Sequence, residues 1–409
     1  MQKIDENSAG SPSPMKRGAL AGIVGVAIMA GSGTVIWALG DNVKPDVVTV
    51  ASVDAATQAI ASARKPVTIR LQPGYYPKIE IIRQTGTSGQ PVTIESADPR
   101  QRAVIGELTV AFAPSTIVRG VDFERQEGQE GRRYLAFFRS SPGARVIDAH
   151  FRGALDSATP QIQDYALMLR DSDDSRVEQS RFSGLRYGIG FYNADRLVVA
   201  RNEIRDMQTD GIRGEGSDDL LIVGNVIGDF HPAPKDHADG IQLWTNNQTE
   251  PTRRITVRGN LIARGNGNFI QGIFIRDTFS KLPFEQLNIS DNLVIGANYN
   301  AIAVLGAKGV TIANNIVAGY PDQKSWIRFT KAQDAHLEGN SATWYNRDDA
   351  SQIQEARNVT RQATDRADEI RTMLAAWVAQ NKDLDQSGPY IQHLLTGPQG
   401  TIRHTRSGS

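Results

Sequence analysis

The chain is predicted to be all-β: a solenoid of short strands wound into stacked coils, with a helix at either end of the strand region. Three observations predict this. A strand–turn–strand pattern returns every 22 to 25 residues or so, an asparagine recurs at one phase of it, and the strands alternate apolar and polar residues.

The repeat is plainest from Tyr165 onward. "YALML", "YGIGF", "DGIRG", "DGIQL", "QGIFI", "NAIAV" and "SWIRF" begin at Tyr165, Tyr187, Asp210, Asp239, Gln271, Asn300 and Ser325. Each is followed by a second apolar run, such as "DDLLIVGNVI", "RRITVRGNLI" or "KGVTIANNIV". A single coil of this size cannot bury its own inward face. Stacked coils can, at about 4.8 Å per step, with every backbone group bonded to the coil above or below. Asn202, Asn225, Asn260, Asn292, Asn315 and Asn340 share one phase and are expected to stack into a hydrogen-bonded ladder at an inner turn.

Upstream, "SVDAATQAIASARK" has the spacing of a short amphipathic helix that could close the open end of the stack. "PVTIRLQPGYYPKIEII", "PVTIESA" and "STIVRGVDF" follow as early strands. The order of helix, "TIRLQPGYY", "TSGQPVTIESADP" and "STIVRGVDF" resembles the opening of the right-handed parallel β-helix enzymes that act on uronate polysaccharides. These are the chondroitinase-B and alginate-lyase type polysaccharide lyases, with the mannuronan C5-epimerases nearby. The resemblance spans about Val47 to Tyr345 and implies a right-handed, pectin-lyase-like β-helix with a carbohydrate-directed activity.

Downstream, residues 349–380 are rich in helix formers. Ile353, Ala356, Ala363, Ala367, Ile370, Leu374 and Trp377 follow a three-four spacing, which predicts an amphipathic helix beginning near Asp349. It could dock on the solenoid, or serve as a coiled coil joining three copies into a homotrimer. The expected organisation is therefore a tail over 1–17, an anchor over 18–40, a β-helix over 41–348, and a helix with a loose tail over 349–409.

The anchor rests on Gly18 to Gly40, a run of 23 residues without a charge, preceded by Lys16 and Arg17. A bilayer core needs roughly 20 apolar residues, and flanking cations stay in the cytoplasm. The expectation is a single-pass inner or plasma membrane protein whose domain from residue 41 onward works outside the cytoplasm. "ALG" before Asp41 keeps a cleaved signal peptide as the alternative. Lysine plus arginine and aspartate plus glutamate both number 45, so no net field favours nucleic acid. The absence of cysteine excludes disulfides and thiolate metal sites.

Aligning the coils turns sequence into columns. If Ile212, Ile241 and Ile273 point inward, residues two before, one after and three after each are expected on the outer wall. The first column reads Tyr165, Tyr187, Asp210, Asp239, Gln271, Asn300. The second reads Met168, Gly190, Arg213, Gln242, Phe274, Ala303. The third reads Arg170, Tyr192, Glu215, Trp244, Arg276, Leu305. Charged, amide and aromatic side chains gather in the middle coils. Tyr187, Tyr192, Glu215, Gln242, Trp244 and Gln271 are the expected substrate-binding residues, since aromatic faces stack on sugar rings and amides orient hydroxyls. An insertion, "IGDFHPAPKDHA", brings His231, Lys235, Asp236 and His237 beside them. A second, "DTFSKLPFEQ", adds Asp277 and Lys281.

Three functions suit this patch. In β-elimination a cation neutralises the uronate carboxylate and a base removes the adjacent proton. Arg213 and Arg276 could neutralise, Lys235 or His237 could be the base, and Tyr187 could protonate the leaving oxygen. Asp210, Asp236 and Asp239 could instead hold Ca²⁺, which seeks several oxygens. An epimerase would share the first step. In glycoside hydrolysis Asp210 and Asp239 would be the acid and base, with stacked coils placing them near the retaining separation of about 5 to 5.5 Å. A non-catalytic carbohydrate-binding protein would need only the aromatics. The expected partner in each case is an acidic polysaccharide.

Overall fold

The structure is a computed structural model that describes residues 44–82, 90–126, 133–153, 165–234, 236–246, 248–348, 350–384 and 391. The anchor expected over 18–40 lies outside these residues. Among the described residues no helix is long and apolar enough to cross a membrane.

Each full coil contributes three strands. In one, Asp239–Trp244, Arg253–Arg258 and Leu261–Ala263 pair in parallel with Gln271–Arg276, Phe284–Ser290 and Leu293–Ile295 of the next. The third strands form a separate 12-stranded sheet. Inside, Leu167, Ile189, Ile212, Ile241, Ile273, Ile302 and Ile327 stack coil on coil and are fully buried. Phe123, Phe151 and Phe182 stack along the axis, with centroids 4.4 and 4.8 Å apart.

The asparagine ladder forms as expected. Asn260 Oδ1 accepts from Asn225 N at 2.9 Å and from Asn225 Nδ2 at 3.0 Å, and Asn260 Nδ2 donates onward to Asn292 Oδ1 at 3.0 Å. The same rung joins every asparagine from Asn202 to Asn340. It satisfies a turn's backbone donors inside an apolar core, where an unpaired N–H is costly.

The helix at the start, α1 (Val53–Ser62), is capped by Ser52, whose hydroxyl accepts from Ala55 N at 3.2 Å. It buries Ala56 and Ile60 against the first coils.

The helix expected from Asp349 is a correction. Ser351–Ala356 is a strand paired with residues 333–338, and Val359–Thr360 pairs with Ser341–Ala342. The solenoid therefore runs on to Thr360, completing the coil that begins at Tyr345, and Asn358 adds a rung by accepting from Asn340. Helix-forming composition lost here to pairing with a preformed edge. The helix itself, α2 (Ala367–Gln380), packs Met373, Leu374 and Trp377 on the solenoid flank around Leu261, Leu293 and Tyr320. Trp377 Nε1 donates to Asp291 O at 2.8 Å. The apolar stripe that a coiled coil would use is thus covered by the chain's own coils.

Candidate active site on the outer wall

The columns hold in register. Arg213 pairs with Gln242 and Gln242 with Phe274, while Tyr192 pairs with Glu215 and Trp244 with Arg276. Strict alternation would turn Asp239 to the same side as Ile241. Gly240 breaks it: a Cβ there would lie 2.8 Å from Ile262 Cγ2 and 3.0 Å from Gly272 O, so only glycine fits. Gly188, Gly211 and Gly272 make the same close approach in their coils. The Asp239 side chain meets Gln242 and His237 on the wall side.

The two aspartates lie on adjacent coils, with Asp239 N donating to Asp210 Oδ1 at 3.1 Å. The sequence expectation had them facing outward; the structure buries them, with Asp239 fully covered and Asp210 2% exposed. Neighbouring side chains in the columns cover them. Arg213 binds Asp210 Oδ2 at 2.9 Å. Its guanidinium lies 4.4 Å from the Tyr187 ring and 4.7 Å from the Trp244 ring, a cation held between two aromatic faces. Tyr187 in turn stacks on Tyr165, with centroids 4.1 Å apart.

Asp239 Oδ2 holds His237 Nδ1 at 3.0 Å and accepts from Gln242 Nε2. Its Oδ1 is buried with no hydrogen-bond partner among the described residues. Burial pushes the Asp239 and Asp210 carboxyls above the usual range, against the pull of His237 and Arg213. The hydrogen bond from Asp239 raises His237. The imidazole side chain is 55% exposed at the wall.

A one-way chain of hydrogen bonds sets the imidazole's orientation. Trp326 Nε1 donates to Asn300 Oδ1 at 2.9 Å, Asn300 Nδ2 donates to Gln271 Oε1 at 2.6 Å, and Gln271 Nε2 meets His237 Nε2. An indole N–H can only donate, so both amides are oriented and Gln271 presents a donor. His237 then accepts at Nε2 and donates from Nδ1 to Asp239. In that tautomer the one ring lone pair, at Nε2, is held by the Gln271 amide, and the imidazole can serve as a general base where a substrate draws that amide away.

The remaining candidates lie apart from this pair. Glu215 is pushed up to about 7 by burial and sits with Tyr192, itself under Arg170 at 5.0 Å. Arg276 is exposed. Asp277 accepts from Thr245 Oγ1 and Leu282 N, which orders its own loop. His231 pairs with Asp206 at 3.3 Å. Lys235 lies outside the described residues. The Ca²⁺ grouping expected of Asp210, Asp236 and Asp239 is not present: among the described residues no three His, Asp or Glu side chains are arranged to hold a metal. Asp210 and Asp239 are already engaged by Arg213, His237 and Gln242.

The family model described as a right handed beta helix region matches residues 137–317. The chain is a right-handed parallel β-helix. It is similar in structure to a mannuronic acid specific family 6 polysaccharide lyase from human gut microbiota, at 11% identity and a TM-score of 0.52, over 86% of this chain and 98% of that one. It is also similar to a lacto-N-biosidase from Eubacterium ramulus, at 9% identity and a TM-score of 0.50, over 76% and 64% of the two chains. An alginate lyase from Paenibacillus sp. str. FPU-7 aligns at 17% identity and a TM-score of 0.49, over 77% and 99%. A comparison with curated protein sequences finds no significant match. At these identities the likeness concerns the fold alone, which a lyase and a lacto-N-biosidase both carry.

Proposed function

We propose that this protein is a polysaccharide lyase that cleaves an acidic, uronate-containing polysaccharide by β-elimination. The observation that carries the reading is the exposed His237, held through Nδ1 by a fully buried Asp239 on a wall that also presents Arg213 and Gln242. In this scheme Arg213 and Gln242 face the substrate carboxylate and make the neighbouring carbon acid stronger. Gln271 turns from His237 to the substrate and frees Nε2, which takes the C5 proton as the C4–O bond breaks and a C4=C5 double bond forms. The same imidazolium returns the proton to the departing oxygen. Tyr187 is 9% exposed behind Arg213, so its part is to hold that cation rather than to donate the proton. Burial of both Asp210 and Asp239 disfavours hydrolysis, because neither carboxyl can reach a glycosidic oxygen from beneath the wall. The charged run before residue 18 and the uncharged run after it support placing the catalytic wall outside the cytoplasm, anchored to the membrane.

The test is product chemistry. Incubation with uronate polymers should generate the ultraviolet absorbance of an unsaturated uronate, and His237→Ala should abolish it. New reducing ends without that absorbance would refute elimination. Replacing Arg276, five positions along the strand from Gln271 and roughly 16 Å away, should raise KM and leave kcat nearly unchanged.

A further inference from the structure

We infer that Tyr299, Trp326 and Trp344 form a distal subsite that stacks on a pyranose ring of the polysaccharide, a reading that rests on the carbohydrate assignment above. Trp326 and Trp344 lie where the first column continues beyond Asn300, and Tyr299, which pairs with Ser325, flanks that column. Asn300 pairs with Trp326, and Ile327 pairs with Tyr345, so Trp344 occupies the next position of the same column. Trp326 is three coils above Asp239, about 14 Å along the axis, and Trp344 is four coils above it. Trp344 is 62% exposed and Tyr299 43%. The Tyr299 and Trp326 rings are 5.2 Å apart and tilted by 42°.

Two features separate this from incidental exposure at the last coils. The strands nearest the open end carry many charged or amide side chains, among them Arg347, Asp348, Gln352 and Glu355, as an unpaired edge requires, and Val359 is their exposed apolar residue on another face. Trp326 and Trp344 instead extend the column that contains Asp239, with Tyr299 beside Asn300. The indole N–H of Trp326 is also already used by Asn300, so the ring has only its apolar face and edge to offer. Apolar ring faces are what sugar C–H surfaces stack against, and clustered exposed aromatics mark binding surfaces. A chain bound at His237 and running along the coil axis would cross them.

The experiment measures binding of a size-graded series of mannuronate, guluronate and galacturonate oligosaccharides by tryptophan fluorescence and calorimetry. The proteins compared are the wild type, Trp344→Ala and Tyr299→Ala. Both positions are exposed, and thermal unfolding confirms that each variant is folded. The expected result is that each substitution raises Kd roughly three- to tenfold for oligosaccharides long enough to span the four coils and leaves disaccharides unchanged. Loss shared equally by short and long ligands, no loss, or no saccharide binding to the wild type would overturn the inference. Length-dependent loss without any unsaturated product would sink the elimination reading and leave the subsite standing.

Discussion

Asp239→Asn isolates the chemistry from the fold. In the folded protein Asp239 Oδ2 accepts from Gln242 and holds His237 Nδ1 at 3.0 Å, all beneath the surface. An asparagine retains the shape and can satisfy one of these partners, but it removes the charge that assists the imidazole bond. A charge-assisted hydrogen bond contributes roughly 1.5 to 3 kcal/mol. At 1.36 kcal/mol per tenfold, kcat/KM should fall by about 10- to 100-fold. The pH profile should move as well. His237 is raised by Asp239, so the wild-type ascending limb should lie above the ordinary histidine range, and the variant's limb should shift to lower pH. Stability should respond the other way. A carboxyl whose folded pKa is raised binds more protons folded than unfolded, so its contribution is lost as pH rises from the unfolded pKa through the folded one. At neutral pH the variant, which has no charge to bury, should therefore unfold at no lower temperature than the wild type. The assay is the initial rate of unsaturated-product formation across pH 5 to 9 or so, with calorimetry on the same samples. An unchanged rate and limb would remove the Asp239–His237 pair from the mechanism.

Three further outcomes follow from the packing. Asn292→Ala should lower stability by about 2 to 5 kcal/mol in urea unfolding, because it strips partners from Asn260 N, Asn260 Nδ2 and Val257 O inside the core. Gly240→Ala should cost about 1 to 3 kcal/mol and also reduce activity, since its Cβ would meet Ile262 and the Gly272 carbonyl beside Asp239. Trp377→Ala should cost about 3 to 5 kcal/mol and make α2 a target for limited proteolysis, while the product assay shows the wall still active.

Coil register was legible in the chain because it depends on short, repeated, local choices. A small residue before an isoleucine, and one asparagine per turn, can each be satisfied only by the same residue in the coil above. That placed Asp210 beside Asp239 and Arg213 beside Gln242 without coordinates. Asn358 carried the same signal at the same phase, but the helix-forming residues around it masked it. Whether an element pairs or coils is decided by the edge it meets, and Gln333–Glu338 offered an edge. The burial of Asp210 and Asp239 was not legible, since it goes with Arg213, His237 and Gln242 engaging them, and side-chain reach between coils has no sequence period. Nor was the chain from Trp326 to His237, whose direction follows from which atoms meet. Amino-acid order thus determined which residues share a column; tertiary packing decided which of them water, and a substrate, can touch.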